Sequence, residues 1–340
     1  MLRSTDSRKL TPPRAWRVIG KGGGSRTWRL CAITLPWQRL ARPWKAPNVW
    51  SHLGLFNPLY HFNTLLTMTF LPNRVVGISE DIGRLYGRWL GSIDERLDAP
   101  DCDRYELCRK VLTEVHFPHL SGVDPATLPL PTQVLLAQMD ARNVTLEPEY
   151  YAEIDLERYE RVKPLIWLWE MFDRSALAEN VHLGVKFRRL LAKRIFRKCG
   201  HNFKAFHHVK MSFGYNLEVG DNVVVHRHVL LDDRGGIRLG DGVSVSDFAN
   251  VYSHSHGVVE GRDITTPVTV IDAGVRVTYH ATVMSGVHLA EGSMLGAFGV
   301  ATKDTEPHAI YAGIPAKKIK DKPDESRRPP TPDPLADPEG

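Results

Sequence analysis

From about residue 210 onward, aliphatic residues recur every six positions along the chain. Val219, Val225 and Leu231 form one set, Leu239, Val245 and Val251 a second, and Ile271, Val277, Val283, Leu289 and Leu295 a third. Small or β-branched residues such as Val223, Ala249, Ala281 and Ser293 follow the markers by four places. A period of six fits neither an α-helix nor the alternation of a hairpin ladder. It fits a short strand of about five residues and a turn, three of which close one prism-shaped coil. The marker then faces inward and stacks on the same position one coil later, about 4.8 Å away. Two residues in the Gly235-Gly236 region are inserted between the first sets, and a longer excursion, roughly 255–270, precedes the third. An antiparallel sandwich would need eleven markers in phase by coincidence.

The first half has a different texture. Every Trp lies at or before Trp169, and apolar residues follow helical spacing. The spacing predicts helices over Arg104–Val115, Thr132–Ala141, Pro148–Arg161 and Pro164–Phe172. The stretch 186–204 carries eight Lys or Arg and no acid, with Phe187, Leu190, Leu191, Ile195 and Phe196 on one face. Cys199-Gly200 stands where such a helix would end. This helix is placed to cap the open end of the first coil, and its basic side suits an anionic membrane surface. Leu53–Leu71 is the most apolar stretch, but Asn57, Pro58, His61 and Asn63 leave it short of about 20 clean apolar residues. It reads as a buried or interfacial helix. The expected organisation is a basic disordered 1–50, a mainly helical 51–200, a β-helix over 201–320 and a disordered Pro-rich tail over 321–340.

Composition narrows the classes. The 340 residues are 42% hydrophobic and 24% charged with a net charge of +5, which excludes collagen, full disorder and a small disulfide scaffold. Residues 1–50 hold eleven Lys or Arg and only Asp6 as an acid, with no apolar run of the kind a signal peptide needs. Cys31, Cys102, Cys108 and Cys199 lack metal-site spacing and read as reduced thiols of a cytosolic protein. The modest positive charge comes with no nucleic-acid-binding fold, so no nucleic acid is expected.

Several local phrases sit in phase with the hexads. They are Gly214-Tyr215-Asn216 leading into Val219-Gly220-Asp221-Asn222, Leu231-Asp232-Asp233, Leu239-Gly240-Asp241-Gly242, Tyr252-Ser253-His254-Ser255-His256, and Ala312-Gly313-Ile314-Pro315-Ala316-Lys317. With this register the chain resembles the hexapeptide-repeat acyltransferases, in their maltose, galactoside and nodulation O-acetyltransferase branch, over about 200–320. The resemblance implies a left-handed parallel β-helix, a homotrimer with sites between subunits, and acetyl-coenzyme A as the acyl donor. The expected fold class is mixed: this β-helix preceded by a mainly α-helical region.

An alcohol attacking a thioester must lose a proton, and a neutral His is the natural base near pH 7. His254 stands just before the excursion, as the family's catalytic His does; His256, two residues on, is the rival. His228 and Asp233 are candidates to hydrogen-bond the acceptor, a small molecule or glycan with a sugar hydroxyl. By the resemblance, Tyr279 and Ala297 mark the backbone donors for the oxyanion, and Thr302, Lys303, Lys317 and Lys318 the cofactor phosphates. Arg276 stands where the family commonly carries Trp, and Tyr279 where a small residue is usual, which bears on acyl choice. No metal is expected, although His228, His254 and His280 keep a zinc enzyme of the carbonic-anhydrase type as a competing reading. A non-catalytic β-helix scaffold is the other. The expected location is the cytoplasm, with peripheral contact at the inner face of the membrane through the basic helix.

Overall fold

The computed structural model describes residues 77–323. Expectations for 1–50, for Leu53–Leu71 and for most of the Pro-rich tail fall outside the described residues. Five α-helices come first: α1 (Glu80–Asp98), α2 (Arg104–His116), α3 (Leu130–Ala137), α4 (Leu156–Phe172) and α5 (Val181–Ile195). At the starts of α2, α4 and α5, side chains satisfy free amides of the kind every helix leaves. Asp103 accepts from the amides of Tyr105 and Glu106, Asp155 from Arg158, and Asn180 from Leu183. No helix among the described residues is long and apolar enough to cross a membrane.

Several helix boundaries differ from the sequence reading. Pro164 lies inside α4 rather than at a helix start. A proline there removes an amide and leaves carbonyls of the preceding turn without helical partners. A donor from α2 compensates: Arg104 donates to the Arg161 carbonyl at 2.9 Å, while the Tyr105 hydroxyl donates to the Glu160 carboxylate beside it. Pro148, in turn, belongs to a single turn over Glu147–Tyr150, and the chain runs on unwound to Asp155. Likewise α5 ends at Ile195, and Lys198–Cys199 is already a strand, so the first coil starts inside the stretch read as helical.

From Lys198 the chain winds into a parallel β-solenoid with three faces. The first face stacks Lys198–Cys199, Leu217–Val219, Ile237–Leu239, Thr269–Ile271 and His288–Leu289. The second runs from Lys204–Ala205 through Val224–Val225, Ser244–Val245, Arg276–Val277 and Met294–Leu295 to a closing hairpin, Ala309–Ala312 with Lys317–Asp321. The third stacks Lys210–Met211, Leu230–Asp232, Asn250–Tyr252, Thr282–Val283 and Val300–Ala301. All eleven hexad markers are 3% exposed or less. The register confirms the stacking: Lys198 pairs with Glu218, and Glu218 with Arg238.

Within the ladder, each coil donates its amides to the carbonyls of the next. Lys204, Phe206 and Lys210 donate to Val223, Val225 and Val229. The equivalent carbonyls of the first coil, at Phe203, Ala205 and Val209, have no coil beneath them. Arg189 Nε reaches the Phe203 carbonyl at 2.6 Å, Arg188 Nη1 the Ala205 carbonyl at 3.3 Å, and Trp169 Nε1 the Val209 carbonyl at 3.1 Å. The helical region therefore supplies donors to three carbonyls of this edge and covers an edge that would otherwise template aggregation. Trp89, Phe172 and Phe187 stack behind these donors, Phe172 and Phe187 at 4.0 Å between ring centroids.

This geometry engages the arginines of α5 and leaves Lys193 exposed. Arg188 and Arg189 are buried, and Arg194 pairs with Asp94 and Asp98 of α1. The Arg188 guanidinium also holds Asp173, with both side chains 3% exposed or less. Replacing Arg188 by Ala strands that carboxylate and the Ala205 carbonyl, and should cost about 3–5 kcal/mol. Arg194→Ala, which loses a more exposed pair, should cost about 1 kcal/mol or less. Urea unfolding of the two variants beside the wild type measures the contrast.

Candidate active site

The three corners of the prism divide the candidate residues. The corner between the second and third faces holds His228, Tyr279 and Ala297. The corner from the third face back to the first holds Asp233, His254, His256, Thr302 and Lys303. Lys317 and Lys318 lie on the closing hairpin of the second face.

His254 follows the strand Asn250–Tyr252 and opens the excursion, whose arms Ser255–His256 and Ile264–Thr265 pair antiparallel. Its Nδ1 lies 2.8 Å from Oδ2 of Asp232, at ion-pair distance but off the direction of a hydrogen bond. Asp232 is placed by the ladder, one coil below in register with Tyr252. Its other oxygen accepts from Ser212 Oγ at 3.2 Å, and its carbonyl takes both the amide and the hydroxyl of Ser253. Partial burial is the main cause holding His254 below the usual imidazole range; Asp232 opposes it, while Arg234 and His256 add to it. The His256 ring stands perpendicular to it at 5.1 Å. His256 itself is exposed, and its Nδ1 donates to the Gly261 carbonyl at 2.6 Å.

A second layer comes from the helical region. Arg234, buried behind His254, forms an ion pair with Glu153, and its guanidinium lies 3.8 Å from the ring centre of Tyr151. Both partners sit in the unwound stretch before α4. That stretch is itself pinned to the solenoid, since the Asp155 amide donates to the Tyr215 hydroxyl at 2.8 Å and Arg158 to the Tyr215 carbonyl at 2.7 Å. Gly235 lets the layers meet. A Cβ there would lie 2.3 Å from the Ser253 carbonyl and 2.4 Å from that of Thr266, so any larger residue would push the His254 segment outward.

Two of the expected assignments change. Asp233 is fully buried; its carboxylate accepts from the amides of Phe213 at 2.7 Å and Asn216 at 3.1 Å, and it is the staple of that turn rather than an acceptor ligand. Burial pushes its carboxyl up to about 6 against those amide donors. Lys318 is held between Glu306 at 2.7 Å and Asp321 at 2.8 Å, so its ammonium is already neutralised. His228 stacks with Phe248 at 4.8 Å and shares its corner with Tyr279 and Ala297. Ala297, Thr302, Lys303 and Lys317 are exposed, and Tyr279 is 49% exposed. The residue that sequence reading missed is Asp232. Its signal was present, because the coil spacing puts it beneath Tyr252 and beside a residue two places on.

The six-residue register, the three parallel faces and the histidine at the root of an excursion define a hexapeptide-repeat β-solenoid. In sequence, the chain is similar to the galactoside O-acetyltransferase of Escherichia coli (strain K12), at 27% identity over 142 residues, 40% of this chain and 70% of that one. Among solved structures it is similar to a maltose O-acetyltransferase from Clostridium difficile 630, with 22% identity, a TM-score of 0.45, and coverage of 51% of this chain and 92% of that one. A galactoside acetyltransferase in complex with coenzyme A shows 26% identity and a TM-score of 0.44, over 49% of this chain and 81% of that one. No protein-family model matches the chain.

The two neighbouring aspartates should separate cleanly. Asp233→Ala leaves buried amides without an acceptor and should cost about 3 kcal/mol of stability. Asp232→Asn removes the charge that favours the imidazolium, so the His254 titration followed by NMR should move to lower pH. An unmoved His254 midpoint would mean that the Asp232 carboxylate does not act on the ring.

Proposed function

We propose that this protein is an acetyl-coenzyme-A-dependent O-acyltransferase that acetylates a hydroxyl of a sugar or saccharide precursor. The observation that carries the reading is the Asp232–His254 pair at the root of the excursion, in a solenoid whose sequence is similar to a named galactoside O-acetyltransferase. Asp232 holds Nδ1, which leaves Nε2 as the atom that works. It takes the proton of the acceptor hydroxyl as the oxygen attacks the thioester carbonyl. The tetrahedral intermediate then expels the thiolate, which recovers that proton from the imidazolium, giving the acetyl ester and free coenzyme A. No Cys lies in the repeat region after Cys199, so direct transfer is preferred to an acyl-cysteine route.

In this reading the backbone near Tyr279 and Ala297 serves the oxyanion, and Thr302, Lys303 and Lys317 serve the donor phosphates. The oxyanion positions and His254 occupy different corners of one chain, which supports a working homotrimer whose sites form between copies. The cytoplasm is the proposed place of action. The buried and paired arginines of α5 give no support to membrane contact through that helix.

Arg234 and Glu153 act as positioning residues for His254. Arg234 disfavours the imidazolium and Glu153 favours it, and the two charges are locked together. Because His254 titrates below its usual range, kcat/KM should rise with pH along an acid limb below pH 6.5 and be level at neutrality. Glu153→Gln removes the favouring charge and should move that limb to lower pH. Thiol release from acetyl-coenzyme A with a panel of sugar acceptors measures these effects. His254→Ala should lose about 10²-fold or more, while a loss confined to His256→Ala would move the base two residues on. Failure of the wild type both to bind coenzyme A and to release thiol would overturn the reading in favour of a scaffold.

A further inference from the structure

Three imidazoles gather on a corner other than the one that carries His254. His207 and His208 come from the first coil and His228 from the second, and one ring nitrogen of each lies within 4.8 Å of the others. The rings of His207 and His208 are perpendicular at 5.0 Å, and those of His208 and His228 lie 4.8 Å apart. His208 and His228 border a cavity of about 370 Å³ that is also lined by Lys210, Val229 and Leu230.

We propose that His207, His208 and His228 form a binding site for a divalent transition metal ion such as Zn²⁺ or Ni²⁺. Neutral imidazole suits these ions. Nitrogens around one Zn²⁺ at about 2.1 Å lie about 3.4 Å apart, so the three donors need only side-chain rotations to converge. His228 is exposed, and its ring already lies stacked near that of His208. The backbone beneath is fixed: the His208 amide donates to Oδ2 of the buried Asp173 at 2.7 Å, and the His228 amide to the His207 carbonyl at 3.3 Å. The local charge also suits a cation. Lys210 is neutralised by Glu170 at 3.2 Å and Arg188 by Asp173, whereas Glu179 lies 3.6 Å from Nε2 of His207 and adds a negative charge beside the site. The cavity leaves an open coordination position. An ion held here joins the first coil to the second next to the helical cap, so it stabilises the folded chain.

The test uses the full chain and the metals alone. Titration calorimetry with ZnCl₂ or NiCl₂ should find one saturable equivalent per chain. His228→Gln and, separately, His208→Gln should weaken it by about 10–100-fold or more, while His256→Gln leaves it in place. Co²⁺ should give the visible absorption of a nitrogen-ligated ion, and metal at about 100-fold excess over Kd should raise Tm by several degrees in the wild type. Absence of a saturable equivalent overturns the proposal. So does an affinity unchanged in either His228→Gln or His208→Gln, and so does a loss confined to His256→Gln, which would place the ion on the excursion. Because Gln replaces two half-buried or exposed rings without removing a core residue, circular dichroism of each variant should match the wild type.

Discussion

A parallel coil cannot satisfy its own backbone. Along each strand most inter-coil amides donate toward the next coil, as Lys204, Phe206 and Lys210 do, so the first coil presents carbonyls at Phe203, Ala205 and Val209 with no coil beneath them. The arginines and tryptophan that meet this row determine much of the rest of the molecule. Arg188, Arg189 and Trp169 are large and two of them are charged, so they need a shell of their own: Asp173 for the guanidinium of Arg188, and Phe172, Phe187 and Trp89 for the apolar bulk. Five helices are the structure needed to hold three donors against three carbonyls.

That cap has a second consequence. Once α4 and α5 are fixed across the end of the solenoid, the unwound stretch leading into α4 must descend along one corner. It is the corner of Asp232, Arg234 and His254. Glu153 and Tyr151 meet Arg234 there, and Tyr215 anchors the stretch at Asp155 and Arg158. The helical region is thus both the end of the ladder and the back of the candidate site, and the electrostatics around His254 belong to two parts of the chain far apart in sequence.

The site itself depends on register. In a ladder with one coil per layer, residues an integral coil apart stand directly above each other, which places Asp232 under Tyr252 and within reach of His254. The two residues inserted at the corner beneath leave room for that reach, and Gly235 keeps the backbones close enough for it. On another corner the same register brings His228 beside His207 and His208, about one coil earlier in the chain.

The hexad markers were legible as a line of letters because burial acts on each of them alike: an inward-facing position on every coil is apolar, and the period reports the geometry directly. His254 was legible for a related reason, since it stands at the point where the period breaks. The neighbouring pair Asp232 and Asp233 was not, because alternation along a strand tells which residue points outward but not what will cover it. Asp233 turned out to be the buried staple of a turn, and Asp232 the partner of His254, once the Phe213–Asn216 segment and the helical region had closed over that corner. Pro164 and α5 were misjudged for the same reason: donors from α2 and carbonyls of the first coil, both distant in sequence, outweighed the local rules for where a helix starts or stops. Sequence alone therefore determined the coil and its period, which arise from nearest-layer repetition. Tertiary structure decided which polar groups are satisfied, paired or left to do chemistry, because hydrogen-bond and charge partners come from whatever the fold brings alongside.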